Sequence, residues 1–192
     1  MLEDLRLILF AAFAAHAMSD YTSFALVGCT GNFGTFILDE LKKCPDDRIT
    51  ILSRRSVEVP QGVCLKIIDY SHPAELEEAL KGVEVIISTV GPGGLESQVS
   101  LAQAARKAGV QLFVPSEFGN PTNGIKDESS PLFVKKKVQD SLKATGMPYL
   151  LVFNGPFADM TFSPYHPLCS PREAELISPF ADFSASTSLK RK

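Results

Sequence analysis

The chain has 192 residues, of which 45% are hydrophobic and 21% charged; this suits one soluble globular domain with appendages at its ends. Its net charge of −3 excludes the broad basic surface that a nucleic-acid partner would need, and the closing Lys190-Arg191-Lys192 is too short to alter that. Four cysteines without a C-x-x-C pair and three scattered histidines lead us to expect no metal site, a reducing compartment, and Cys29 and Cys64 as small buried or half-buried fillers.

Residues 1–20 read as an N-terminal extension. Residues 7–15 are continuously apolar and Ala15-His16-Ala17 resembles a cleavage site, but Glu3 and Asp4 outweigh Arg6 ahead of them. A signal peptide has a positive flank there, and the run is too short to span a bilayer. The favoured reading is that Met18 is the natural start, that residues 1–17 are an added loose helix, and that the protein is cytoplasmic with no membrane contact.

Residues 22–27 are a short β-branched and apolar run, expected as a buried strand. After a glycine turn, residues 35–43 pattern as an amphipathic helix with Phe36, Ile37 and Leu41 on its apolar side, stopped by Pro45. Strands are expected at 48–53 and 63–68. A helix over 73–80 opens with Pro73, carries Leu76, Ala79 and Leu80 on one face, and ends at Gly82. A nearly all-apolar strand over 83–90 precedes a helix over 95–107, whose inner face is Val99, Leu101, Ala102 and Ala105. A fifth strand over 110–114, a helix over 132–144 and a sixth strand over 149–153 complete the pattern. Strands that alternate with helices and are apolar throughout imply a parallel sheet covered on both faces. The expected fold is therefore α/β, a doubly wound parallel sheet of Rossmann type over residues 21–160. Residues 161–192, with four prolines and six serines, lack a sustained period and read as a poorly ordered tail.

Gly28-Cys29-Thr30-Gly31-Asn32-Phe33-Gly34 has the spacing G-x-x-G-x-x-G. Directly after a buried strand and opening a helix, that spacing suits dinucleotide binding. Gly28 permits the sharp turn, Gly31 lets backbone approach a pyrophosphate, and Gly34 lets helix and strand pack closely. The amides of Thr30, Asn32 and Phe33 then belong to a helix start that attracts phosphate. At the end of the second strand an NAD site carries an acidic residue; here stand Ser53-Arg54-Arg55. Two guanidiniums suit a 2′-phosphate, so the expected cofactor is NADP, with Arg54 the stronger contact. Asp69 is either an acceptor for the adenine amino group or a strand-end turn residue. Ser88, Thr89, Val90 and Gly91 end the fourth strand, beside the cofactor by the switch-point rule. Pro92-Gly93-Gly94 is a loop over the site or only a turn.

Val27-Gly28-Cys29-Thr30-Gly31, Ile87-Ser88-Thr89-Val90-Gly91 and Val114-Pro115-Ser116-Glu117-Phe118-Gly119 together resemble the isoflavone reductase-like, NmrA-like family of atypical short-chain dehydrogenases, over about residues 22–160. The P-S-E-F-G stretch is the most specific piece. The resemblance implies an NADPH-dependent reductase of a small aromatic or phenolic substrate. Lys135, first in a K-x-x-V pattern formed with Val138, would be its general acid/base, with Lys136 and Lys137 facing solvent. It also implies that Pro115, Ser116, Glu117 and Phe118 border the cofactor, and that Asn154 and Phe157 line the substrate side of the nicotinamide. The Y-x-x-x-K pattern of ordinary short-chain dehydrogenases is missing, and Tyr149 reads as a core group. Members of the family continue into a smaller C-terminal lobe that supplies most of the substrate pocket, which this chain is expected largely to lack, so that truncation is expected to spare cofactor binding more than turnover. The alternative is a non-catalytic NmrA-like NADP-sensing module with a protein partner; a homo-oligomer also fits.

Overall fold

The computed structural model describes residues 21–122 and 124–155; the extension at 1–20, the tail at 161–192 and Phe157 lie outside them. Five strands form one parallel sheet: β1 (Ser23–Val27), β2 (Arg48–Ser53), β3 (Cys64–Ile67), β4 (Val85–Ser88) and β5 (Leu112–Val114). Their order is β3-β2-β1-β4-β5, with the reversal between β1 and β4 that defines a doubly wound sheet. In register, Phe24 lies opposite Ile49 on one side and Val85 on the other.

Because side chains alternate across a strand, each central strand feeds two cores. Ala25, Val27, Ile86 and Phe113 point to one face, where Leu76 of α2 (Pro73–Ala79), Leu101, Ala102 and Ala105 of α3 (Ser97–Ala108), and Val138 and Leu142 of α4 (Phe133–Thr145) cover them. Phe24, Leu26, Ile51, Val85 and Ile87 point to the other, against Ile37 and Leu38 of α1 (Asn32–Leu41). No helix joins β2 to β3; Val57 and Val59 of that connection pack on the α1 side instead. Among the described residues no helix is long and apolar enough to cross a membrane.

Several expectations are corrected. Helix α1 starts at Asn32, inside the glycine motif, and not at residue 35. With that start, residues 34, 37, 38 and 41 share one stripe at helical spacing. Phe36 falls on the opposite side and is exposed. Residues 92–94 form a single tight helical turn, and α3 follows at Ser97. β3 is the sheet's edge, so it is not covered on both faces: Ile67 is 61% exposed and Cys64 is exposed as well, whereas Cys29 is buried as expected.

The sixth strand reduces to one parallel bridge, Phe113 with Tyr149. The Phe113 N–H donates to the Pro148 carbonyl at 2.9 Å and the Leu150 N–H to the Phe113 carbonyl at 3.0 Å. The next rung would need an N–H at position 115, and Pro115 has none. Tyr149 itself is partly buried against the core, as expected.

Candidate functional site

The glycine turn lies at the carboxyl end of β1, where the sheet reverses. Gly28 has φ +85°, and a Cβ there would stand 2.8 Å from the Thr89 backbone. Gly34 is tighter: its Cβ would stand 2.1 Å from the Gly28 carbonyl oxygen and 2.8 Å from Thr89 Oγ1. Both positions exclude every side chain because β1, α1 and the end of β4 converge on them. At Gly31 the nearest atom to a Cβ would be 3.4 Å away, an ordinary contact. The protein's own packing does not require glycine at Gly31, which is exposed together with Thr30 and Asn32.

Thr89 locks this turn. Its N–H donates to the Val27 carbonyl at 2.8 Å, and its hydroxyl reaches the carbonyls of Val27 at 2.8 Å and Gly28 at 3.1 Å. The turn closes with Gly31 N–H on the Gly28 carbonyl, and the first helical bond runs from Thr35 N–H to the Gly31 carbonyl, each at 3.0 Å. The amides opening α1 precede that bond, so the positive end of the helix faces the carboxyl edge of the sheet.

Arg54 and Arg55 follow β2 and are exposed. Burial pushes the Tyr70 phenol above its ordinary range, offset in part by a hydrogen bond with Ser97 and by the charge of Arg54. Arg54 thus lies on the same edge as the ends of β3 and the start of α3. Asp69 accepts from the Ser71 N–H at 2.8 Å and the Ser71 hydroxyl at 2.7 Å, and pairs with His72 at 3.2 Å. These donors, the Ser71 amide first, hold its carboxyl below the usual range; of its two readings, the strand-end turn is the one the geometry supplies.

The residues after β4 and β5 are tied to one another. Ser116 Oγ donates to the Val90 carbonyl at 2.8 Å, and Ser116 N–H donates to the buried Gln98 side chain at 2.9 Å. Ser88, Thr89, Pro115, Ser116 and Glu117 are buried, and Gly91 is exposed. Phe118, held at φ 32°, packs its ring on Phe33 of the glycine turn with centroids 4.4 Å apart. Asn154 is half-buried, and the next amide, Gly155 N–H, reaches the Gly119 carbonyl at 3.2 Å.

Lys135, in the first turn of α4, arrives at the same place. Its side chain is 14% exposed, and its ammonium donates to the Glu117 backbone carbonyl at 2.5 Å, with a Glu117 carboxylate oxygen at 3.8 Å. Burial lowers its pKa below the ordinary lysine value, against the opposing effect of Glu117. Lys136 instead pairs with Asp140 and is about one-third exposed, less open than expected; Lys137 is exposed and lies over the Phe133 ring at 5.9 Å. Sequence reading missed Thr122 and Gln139, both buried, which complete the surroundings of Glu117. The only trace in the sequence was the four-residue step from Lys135 to Gln139, one helical turn.

A glycine turn opening a helix at the reversal point of a five-stranded parallel sheet defines the Rossmann class of dinucleotide-binding folds. The chain belongs to the NmrA-like family, whose profile matches residues 22–186, past the point where the quoted motifs end. It is 36% identical over 144 residues to the oxidoreductase aprR of Aspergillus flavus, covering 70% of this chain and 48% of that protein. It is 30% identical over 156 residues to the isoflavone reductase homolog A622 of Nicotiana glauca, covering 73% and 50%. Among solved structures, the binary complex of leucoanthocyanidin reductase with NADPH from Vitis vinifera superposes with a TM-score of 0.61 at 21% identity, over 69% of this chain and 49% of that one. The chain spans about half the length of the curated relatives it matches.

Proposed function

We propose that this chain holds NADPH across the carboxyl edge of its sheet and takes part in reduction of a small aromatic or phenolic compound. The residues fit the cofactor. The exposed start of α1 offers backbone amides to a pyrophosphate, and Gly31 leaves room for it at the rim. Arg54, with Arg55 beside it, suits the 2′-phosphate by charge-assisted hydrogen bonds. When bound, NADPH supplies a hydride.

Lys135 supplies the proton. A lysine largely removed from water exchanges its proton nearer neutrality than an exposed one, and the Glu117 carbonyl holds Nζ in one direction. The observation that carries this reading is the Phe33–Phe118 contact. It joins the glycine turn to the segment that grips Lys135, so phosphate-binding backbone and proton donor share one edge. Relatives named as an oxidoreductase and an isoflavone reductase homolog, and a fold shared with an NADPH complex, support it.

The test is calorimetric titration of the full chain with NADPH and NADH, followed by NADPH oxidation with a panel of benzylic ethers and quinone-like aromatics. Tighter NADPH binding, with turnover lost in Lys135→Ala, is expected. Indifference to both nucleotides at millimolar levels overturns the reading.

A further inference from the structure

We propose that Glu117 is the positioning residue of Lys135: a buried carboxylate, clamped by Thr122 and Gln139, that sets where the lysine ammonium rests. This deepens the reading of Lys135 as proton donor and rests on it.

A carboxylate whose side chain is 1% exposed is costly to bury unless its oxygens are bonded. Those of Glu117 are divided between elements. Oε1 accepts from Gln139 Nε2 at 2.7 Å, and Oε2 accepts from the Thr122 hydroxyl at 2.7 Å. Gln139 Nε2 also donates to Thr122 Oγ1 at 2.8 Å, which closes the ring of contacts. Gln139 lies one turn beyond Lys135 on α4, so both reach the same residue from one helix face. The clamp therefore joins the segment after β5 to the first turns of α4.

Within this arrangement the ammonium is bonded to the Glu117 backbone carbonyl and stands 3.8 Å from the carboxylate. The carbonyl accepts from a charged amine and, more weakly, from a neutral one, so a partner for Nζ remains before and after a proton leaves. The carboxylate is near enough to favour the charged form, at a longer range than its bonds to Thr122 and Gln139. Glu117 is the charged group that acts on Lys135. On α4 itself, Lys136 is engaged by Asp140, and Lys137 lies over Phe133; across the site, Phe118 and Phe33 bring no charge. The network thus opposes the effect of burial on Lys135 through one residue.

The experiment is an NMR titration of the full chain with 13C-methylated lysines, Lys135 being assigned by its loss in Lys135→Arg. In Glu117→Gln the Lys135 midpoint is expected to fall by about 1 pH unit or more, the usual effect of removing an opposite charge at this range. NADPH affinity should stay unchanged, while turnover falls and its alkaline limit moves to lower pH. E117D draws the carboxylate back by one methylene and should give a smaller fall, which keeps the test open if E117Q fails to fold. A folded variant of either kind that titrates like wild type overturns this inference alone. A wild-type protein that binds no NADPH overturns the reading beneath it.

Discussion

Gly34 and Gly28 meet with no room for another carbon: a Cβ on Gly34 would lie 2.1 Å from the Gly28 carbonyl oxygen. Neither atom can yield, because one is strand-end backbone and the other is the first turn of a helix. Gly34→Ala is expected to destabilise the fold by about 1–3 kcal/mol or more, the cost of overpacking a tight core. Urea denaturation of the variant, with NADPH affinity measured on whatever remains folded, checks it. Undiminished stability would mean that α1 can slide.

Thr89 makes the same junction from the other side, through two backbone carbonyls. Thr89→Val keeps the shape and removes the hydroxyl, leaving the Val27 and Gly28 carbonyls with one backbone N–H each. A loss of roughly 0.5–1.5 kcal/mol is expected, most of it restored in Thr89→Ser, which keeps the donor. Chemical denaturation midpoints of the two variants distinguish the hydroxyl from the methyl.

Arg54 is exposed just after β2, with its charge near Tyr70, so its loss should leave stability unchanged. Arg54→Ala is expected to weaken NADPH by roughly 1.5–3 kcal/mol, the range for hydrogen bonds to charged groups, and NADH far less. Equal losses for both nucleotides in calorimetry would remove the 2′-phosphate assignment. Arg55→Ala is expected to act in the same direction with a smaller effect.

Lys135 carries a pH dependence whose sign follows from its depressed pKa, lowered first by burial. The unfolded chain holds that proton more tightly than the folded one, so between the folded value and the ordinary lysine value stability rises with pH. Below the folded value the charged amine is buried at a cost. For the proposed activity the sign is opposite: Lys135 as proton donor would be lost as pH rises through the lowered value. Lys135→Ala should abolish that alkaline limit and reduce turnover by about 10²- to 10⁴-fold, with NADPH affinity retained. Stopped-flow measurement of NADPH oxidation across pH reads both effects.

How far the site could be read in advance depended on distance along the chain. Gly28, Gly31 and Gly34 form a local motif, and the strand before it and the helix after it were legible from apolar periodicity. The position of Arg54 and Arg55 just after β2 was legible from the strand pattern and the distance from Gly34. Phe36 was misread because it is apolar, although at helical spacing it lies opposite the face that Gly34, Ile37 and Leu38 bury. Residues 149–153 were expected as a sixth strand, but the pairing stops after the one bridge of Tyr149 with Phe113 because Pro115 withholds an amide.

The amino-acid order alone determined the alternation of strands and helices, hence a parallel sheet, and the turn that opens α1, because each follows from periodicity and glycine spacing over neighbouring residues. Only the tertiary structure decided what Glu117 does: Thr122 and Gln139 bond its oxygens, and its carbonyl holds Lys135. A buried carboxylate takes its role from the donors that folding brings to it, and one of these stands 22 residues away in sequence.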